Sequence, residues 1–142
     1  MERKSRKRKG FTLVELLVVI VIISMLAALV APNLFKHLGK AKRDLALPKI
    51  ALVEDALNRF YIDCGRYPDD SEGLGALLES PEDVQEKWNG RYLKPSQLLD
   101  PWGNPFIYIA EGVVNPGSYD LISLGADGAE GGEGDNADIA NE

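Results

Sequence analysis

The run "LGADGAEGGEGDNADIANE" near the end of this 142-residue chain carries Asp127, Glu130, Glu133, Asp135 and Asp138, each two or three residues from the next. Carboxylates are hard oxygen ligands, and the interleaved glycines let the backbone turn tightly enough for carbonyl oxygens to join them around one cation. Calcium suits such a set, because it accepts roughly 6–8 oxygens at 2.3–2.6 Å in irregular geometry, whereas magnesium demands a tighter octahedron. The spacing is not that of an EF-hand, since Ala129 occupies the third loop position. The residues alone leave two readings open, a calcium loop and a disordered acidic tail, and composition favours the tail.

A second carboxylate stands where charge is costly. From Phe11 to Ala31 the only polar side chains are Thr12, Glu15 and Ser24. An unpaired charge at the centre of a membrane helix costs about 2.5–3.5 kcal/mol on insertion scales, and less near the interface. A cut after Gly10 would create a positive α-amino group on Phe11. A neighbouring chain shifted by about one helical turn would bring that amine level with Glu15, so charge pairing would set the register of assembly.

The elements that must position these groups follow from the apolar pattern. Residues 11–31 form a helix of roughly 31 Å, enough to cross one hydrocarbon core. Before it lie Arg3, Lys4, Arg6, Lys7, Arg8 and Lys9, which hold the N-terminus in the cytoplasm and send the remainder outward. The span is longer than the apolar stretch of an excised signal peptide. The whole chain has 16 Lys/Arg and 22 Asp/Glu; without residues 1–10 it has 10 and 21. So acidic a body repels phosphate backbones, which excludes nucleic acid as its partner. The single cysteine, Cys64, has no internal partner for a disulfide. No nucleophile elbow, phosphate-binding glycine loop or Cys/His cluster is present, and no enzymatic activity is expected.

Beyond the span, apolar residues recur at helical spacing through Leu47, Ile50, Val53, Leu57, Phe60 and Tyr61. This predicts that residues 32–62 continue the helix, with Pro32 and Pro48 as sites of a kink or local melting. His37 has no ligand partners at recognisable spacing and reads as a surface residue. Gly65 and Pro68 end the helix. A head over residues 63–142 then contains a short helix in "EGLGALLESP" and two strands, "FIYIA" and "GSYDLISLGAD", joined by a turn at Asn115-Pro116-Gly117. Trp102 and Phe106 in "DPWGNPF" read as core anchors. The fold class is α+β: a long N-terminal helix, transmembrane in its lower half, a small antiparallel sheet and a Gly/Asp-rich C-terminal loop.

These residues carry a resemblance. "KGFTLVELLVVIVIISMLAALVAPNL" resembles the N-terminal signal of type IV pilins and pseudopilins: a basic leader ending in Gly, then Phe, with Glu at the fifth position after the junction. "GRYPDDSEGLGALL", "GRYLKPSQLLDPWGNPFIYI" and "YDLISLGADGAEGGEGDNADI" resemble the head of the major pseudopilins of type II secretion systems. The resemblance implies cleavage between Gly10 and Phe11 by a prepilin peptidase, methylation of Phe11, and a homopolymeric fibre in which Glu15 pairs with a neighbour's Phe11 amine. It implies an inner-membrane, single-pass chain with a periplasmic head, exporting folded proteins together with minor pseudopilins and an inner-membrane assembly platform. It also implies one calcium in the loop 124–138, held by the Leu124 carbonyl, Asp127 and Asp135, with Asn136 and Asp138 as further candidates. The remaining reading is a type IV pilin-like subunit for adhesion, motility or DNA uptake. Against it stands the lone cysteine, since major pilins usually end in a disulfide-bounded loop.

Overall fold

A computed structural model describes residues 10–142; the basic residues of the leader lie outside them. One helix, α1, runs unbroken over Leu13–Cys64, through Pro32 and Pro48. Two compact units divide the chain between Leu38 and Gly39.

In the first unit no side chain from Phe11 to Val30 is buried, and all of these but Thr12, Glu15 and Ser24 are apolar. It is long and apolar enough to cross a membrane. Its one mid-span hydroxyl, on Ser24, donates to the Ile20 carbonyl at 2.7 Å, which satisfies the group inside the helix.

In the second unit, Gly39–Glu142, the helix pattern becomes one-sided. Ala46, Ile50, Val53, Ala56, Leu57, Phe60 and Cys64 are buried at spacings of one, three or four residues, as expected for a single stripe facing a core. The helix stops at Gly65, whose positive φ of 80° suits a residue without a Cβ and whose amide reaches Tyr61 O at 2.8 Å. Arg66 follows and forks onto Glu72 (2.6 and 2.7 Å) and Asp83 (2.7 and 2.8 Å), tying the chain after the helix to two short turns. The segment expected as a short helix is helical, in the 3₁₀ form, over Gly73–Leu77. Leu77 is buried there and Leu74 and Leu78 pack against the core, so the apolar prediction holds although two glycines favour the tighter turn.

Three strands form the sheet, β1 (Ile107–Ile109), β2 (Asp120–Ser123) and β3 (Ile139–Ala140), in the order β1-β2-β3 with both pairs antiparallel. Ile107 faces Ile122 and Ile109 faces Asp120 across the first pair; Ser123 faces Ile139 across the second. Tyr119 and Leu121 join the helix stripe in one core with Phe106, Leu93, Val84, Leu77 and Ala76. Sequence analysis predicts only β1 and β2. The third strand lies inside the acidic run and is held by Asn141, whose Oδ1 accepts from Leu121 N at 2.8 Å and whose Nδ2 donates to Glu54 Oε1 at 3.2 Å. Residues 124–138 therefore form a loop closed between two paired strands.

The β1–β2 connection is organised by a buried anion. Asp120 has no accessible surface, and its carboxylate accepts from the amides of Val113 (2.7 Å), Val114 (2.9 Å) and Asn115 (2.9 Å). Burial pushes this carboxyl up, but the amide donors together hold it below its ordinary value of 3.8. Because the folded value is depressed, its contribution to stability is complete above the unfolded value and is lost as pH falls through the folded one. Asp120→Asn should therefore lower the melting temperature of the full chain in detergent most at neutral pH, and the gap from wild type should close on acidification below about 3.8. A gap of constant size across the titration would contradict this role.

Candidate functional site

The N-terminal group of residues is built by the first turn of α1. The Glu15 amide donates to Thr12 Oγ1 at 3.2 Å, the Thr12 amide points at Glu15 Oε2 at 3.5 Å, and Leu16 N reaches Thr12 O at 3.1 Å. This is a capping box, in which Thr12 and Glu15 satisfy each other's orphan amides at the start of the helix. Glu15 thus has a local role that sequence analysis missed, although Thr-x-x-Glu before an apolar run is its recognised signal. Gly10 and Phe11 precede the helix and are exposed, Phe11 at 81%. The peptide bond between them is outside the helical hydrogen-bond ladder.

The acidic loop rests on a chain of buried polar contacts. Asp100, 2% exposed, accepts from Trp102 N (2.9 Å), Asn104 N (2.8 Å) and Ser123 Oγ (2.7 Å). Asn104 Nδ2 then donates to Gly125 O at 2.9 Å, at the entrance of the loop. The segment "DPWGNPF" is thus a support for the loop as well as for the core. Phe106 is buried as expected; Trp102 is only half-buried. The supporting residues escaped sequence analysis because nothing local links Asp100 to Ser123, 23 positions later.

Across the loop, Ala126 N donates to Asp135 O at 2.9 Å, so the limbs carrying Asp127 and Asp135 are joined through their backbones. Gly125 makes this approach possible: a Cβ there would lie 2.8 Å from Asp135 O, and its φ is +68°. The carboxylates themselves do not share a focus. Asp127 Oδ1 accepts from Ala129 N at 3.2 Å, and Asp138 Oδ2 from Gly131 N at 2.9 Å. Asp135 turns its carboxylate onto Gly39 of α1. Among the described residues no group of three or more acidic, His or Cys side chains surrounds a common point. Glu130, Glu133 and Asn136 are exposed. In donor type and in backbone closure the loop fits a hard cation; the Asp135 side chain is directed elsewhere.

Known proteins place this arrangement. The family described as "Type II secretion system (T2SS), protein G" matches residues 33–142. The chain belongs to this family. The "Prokaryotic N-terminal methylation motif" matches residues 5–31, across the Gly10–Phe11 junction and the cap. Similar proteins include the type II secretion system core protein G of Pseudomonas aeruginosa, 43% identical over 139 residues and 96% of each chain. That of Vibrio cholerae is 42% identical over 141 residues, covering 98% of this chain and 94% of the other. The crystal structure of the major pseudopilin from the type 2 secretion system of enterohaemorrhagic Escherichia coli resembles this fold with a TM-score of 0.60 at 27% identity, over 78% of this chain and 94% of that one. The pseudopilin fold predicted from sequence is therefore present, with a long apolar N-terminal helix and a three-stranded antiparallel sheet.

The support beneath the loop makes a direct prediction. Asp100→Ala strands two backbone amides and the Ser123 hydroxyl without their acceptor, each change leaving a buried donor unpaired. It should destabilise the head by about 1–3 kcal/mol, read from urea titrations of tryptophan fluorescence in the full chain, while Asp127→Ala at the exposed loop surface should cost far less without added metal.

Proposed function

We propose that this pseudopilin is the structural subunit of a type II secretion pseudopilus: it polymerises into a helical fibre that drives folded proteins across the outer membrane. The observation carrying this reading is the continuity of the two family matches, residues 5–31 and 33–142, on a chain whose Gly10–Phe11 junction stands outside its helix. The chain is anchored in the inner membrane by residues 11–31, with its head in the periplasm. Its partners are other copies of itself, minor pseudopilins, the prepilin peptidase and the inner-membrane assembly platform.

In this reading, hydrolysis of the Gly10–Phe11 peptide bond removes the leader and leaves an ammonium group on Phe11, which the same peptidase methylates. Glu15 then has two duties. Within its own chain it caps Thr12 through Oε2; towards a neighbour displaced along the helix axis it offers negative charge to the Phe11 amine. The pairing replaces an unpaired carboxylate in an apolar setting by a matched ion pair, which stabilises one register over others. A contact of this head-to-tail kind does not close on itself and so generates an open filament.

For the head, the donor set of the acidic loop supports calcium, with the Leu124 carbonyl, Asp127 and Asp135 as ligands and Asn136 and Asp138 as supplementary oxygens. When bound, the ion supplies positive charge that offsets the repulsion among the loop's carboxylates and links its two limbs. The remaining parts are this chain's own: Asn104 and Asp100 hold the entrance, and Ala126 N with Asp135 O keeps the limbs together.

Two outcomes are expected. Glu15→Ala should insert in membranes at wild-type level yet yield at least tenfold fewer fibres; undiminished fibre yield would overturn the register argument. Calcium should raise the melting temperature of the wild-type full chain and EDTA should reverse the rise, with Asp127→Ala unresponsive to both. Equal melting with calcium and with EDTA in the wild type would remove the metal from this account.

A further inference from the structure

Positive charge beyond the span is concentrated on one short stretch of α1. Between Ala31 and Ile50 the chain carries Lys36, Lys40, Lys42, Arg43 and Lys49 against a single acid, Asp44. From Ile50 onward it carries five Lys/Arg against nineteen Asp/Glu. Two of those five are engaged within the head: Arg59 pairs with Asp55 at 3.2 Å, and Arg66 with Glu72 and Asp83. Lys49 is engaged too, its Nζ donating to Leu99 O at 2.7 Å. Lys40 and Lys42, by contrast, are exposed and form no salt bridge among the described residues. Arg43 is also exposed, with Nη1 donating to the Gly134 carbonyl.

The placing of these cations points to what they meet. At about 100° per residue, Lys40 lies about 60° round the helix from Arg43 on one side, and Lys42 about 100° round on the other. They form a collar rather than a stripe. A protein partner reads one face of a helix, whereas a layer of lipid headgroups surrounds it. Depth agrees with this. Leu34 and Phe35, 54% and 69% exposed, are the last apolar residues before the first cation, and Lys40 and Arg43 follow Phe35 by five and eight residues. On a helix that is about 8–12 Å. The headgroup layer of one leaflet is about 5–8 Å thick, and a lysine stem bends back towards it. Once residues 1–10 are removed, the Lys/Arg side chains next to the span stand only on this C-terminal side.

We propose that Lys40, Lys42 and Arg43 bind the phosphates of anionic phospholipids in the leaflet on the head's side of the membrane. The inference rests on the membrane-anchored reading given above. Clustered Lys/Arg beside a membrane span are attracted by a negative lipid surface over roughly a Debye length of 8–10 Å. The same surface repels the remainder of the head with its nineteen acids, so attraction is confined to the collar.

The test places the full chain in phosphatidylcholine vesicles that contain phosphatidylglycerol. Electron paramagnetic resonance of spin-labelled lipids then gives its association with phosphatidylglycerol relative to phosphatidylcholine. Lys40→Gln combined with Lys42→Gln keeps helix propensity and removes two charges; its relative association should be at least about threefold below wild type. Removing two charges elsewhere in the head, with Lys87→Gln and Lys94→Gln, should leave the wild-type value unchanged. Residues 1–10 are present in all three chains, so their own attraction for these lipids cancels in the comparison. The wild-type preference should fall as sodium chloride rises from about 0.05 to about 0.5 M. Equal values for wild type and the Lys40/Lys42 variant would overturn the collar, and so would an equal fall in both variants, which reports charge in general and not this site. If the Lys40/Lys42 variant keeps its lipid preference but yields fewer fibres, the cations meet a second copy of the chain and the lipid proposal fails. A wild-type chain that does not float with the vesicles would overturn the anchored reading and this proposal with it.

Discussion

The rest of this molecule is constrained by an apolar surface that the chain itself does not cover. From Phe11 to Val30 every side chain of α1 is exposed and nearly all are aliphatic. At about 25 cal/mol for each Å² of apolar surface, leaving twenty such residues in water is prohibitive, so lipid or other apolar helices must surround them. Because the surface is apolar on all sides, it suits a bilayer first and a bundle of like helices afterwards. Glu15 is the exception within it. A carboxylate that caps its own helix in an apolar environment is tolerable near the interface and is stabilised further wherever a positive partner is at hand.

The head solves a different problem with the same helix. Past Gly39 the pattern narrows to one stripe, and that stripe, with Tyr119, Leu121 and Phe106, is the core of an otherwise very acidic unit. Two buried carboxylates there, Asp100 and Asp120, form no salt bridge among the described residues; backbone amides at a chain reversal satisfy each, joined at Asp100 by the Ser123 hydroxyl. Carboxyl groups can be buried in this form because the donors are fixed in place and need no further ordering. One shapes the β1–β2 turn. The other carries the entrance of the acidic loop.

Much of this was legible in the sequence, and the parts that were not share a cause. The span from Phe11 to Ala31, the helix stripe through Ile50 and Phe60, the Gly65 stop and the strands around Tyr108 and Leu121 are periodic or punctuated over a few residues, which is what local pattern can report. Strand β3 was missed because two residues have no measurable alternation, and because Ile139 sits among acids. The helix at Gly73–Leu77 was anticipated by its leucines but not in its tighter form. The ligand candidates Asp127 and Asp135 could be named from chemistry, yet only the fold shows Asp135 resting on Gly39, 96 positions earlier in the chain. The Thr12–Glu15 cap is the instructive omission. Its signal, Thr-x-x-Glu before an apolar run, is local and complete in the sequence.

The central claim is that removal of residues 1–10 turns an anchored precursor into a subunit whose new N-terminus is the positive partner of Glu15. Intact-mass and N-terminal mass spectrometry on fibres isolated from native cells tests it most directly. The account predicts chains that begin at Phe11 and carry a single methyl group on its nitrogen. Fibres built from chains that still begin at Met1 would contradict it.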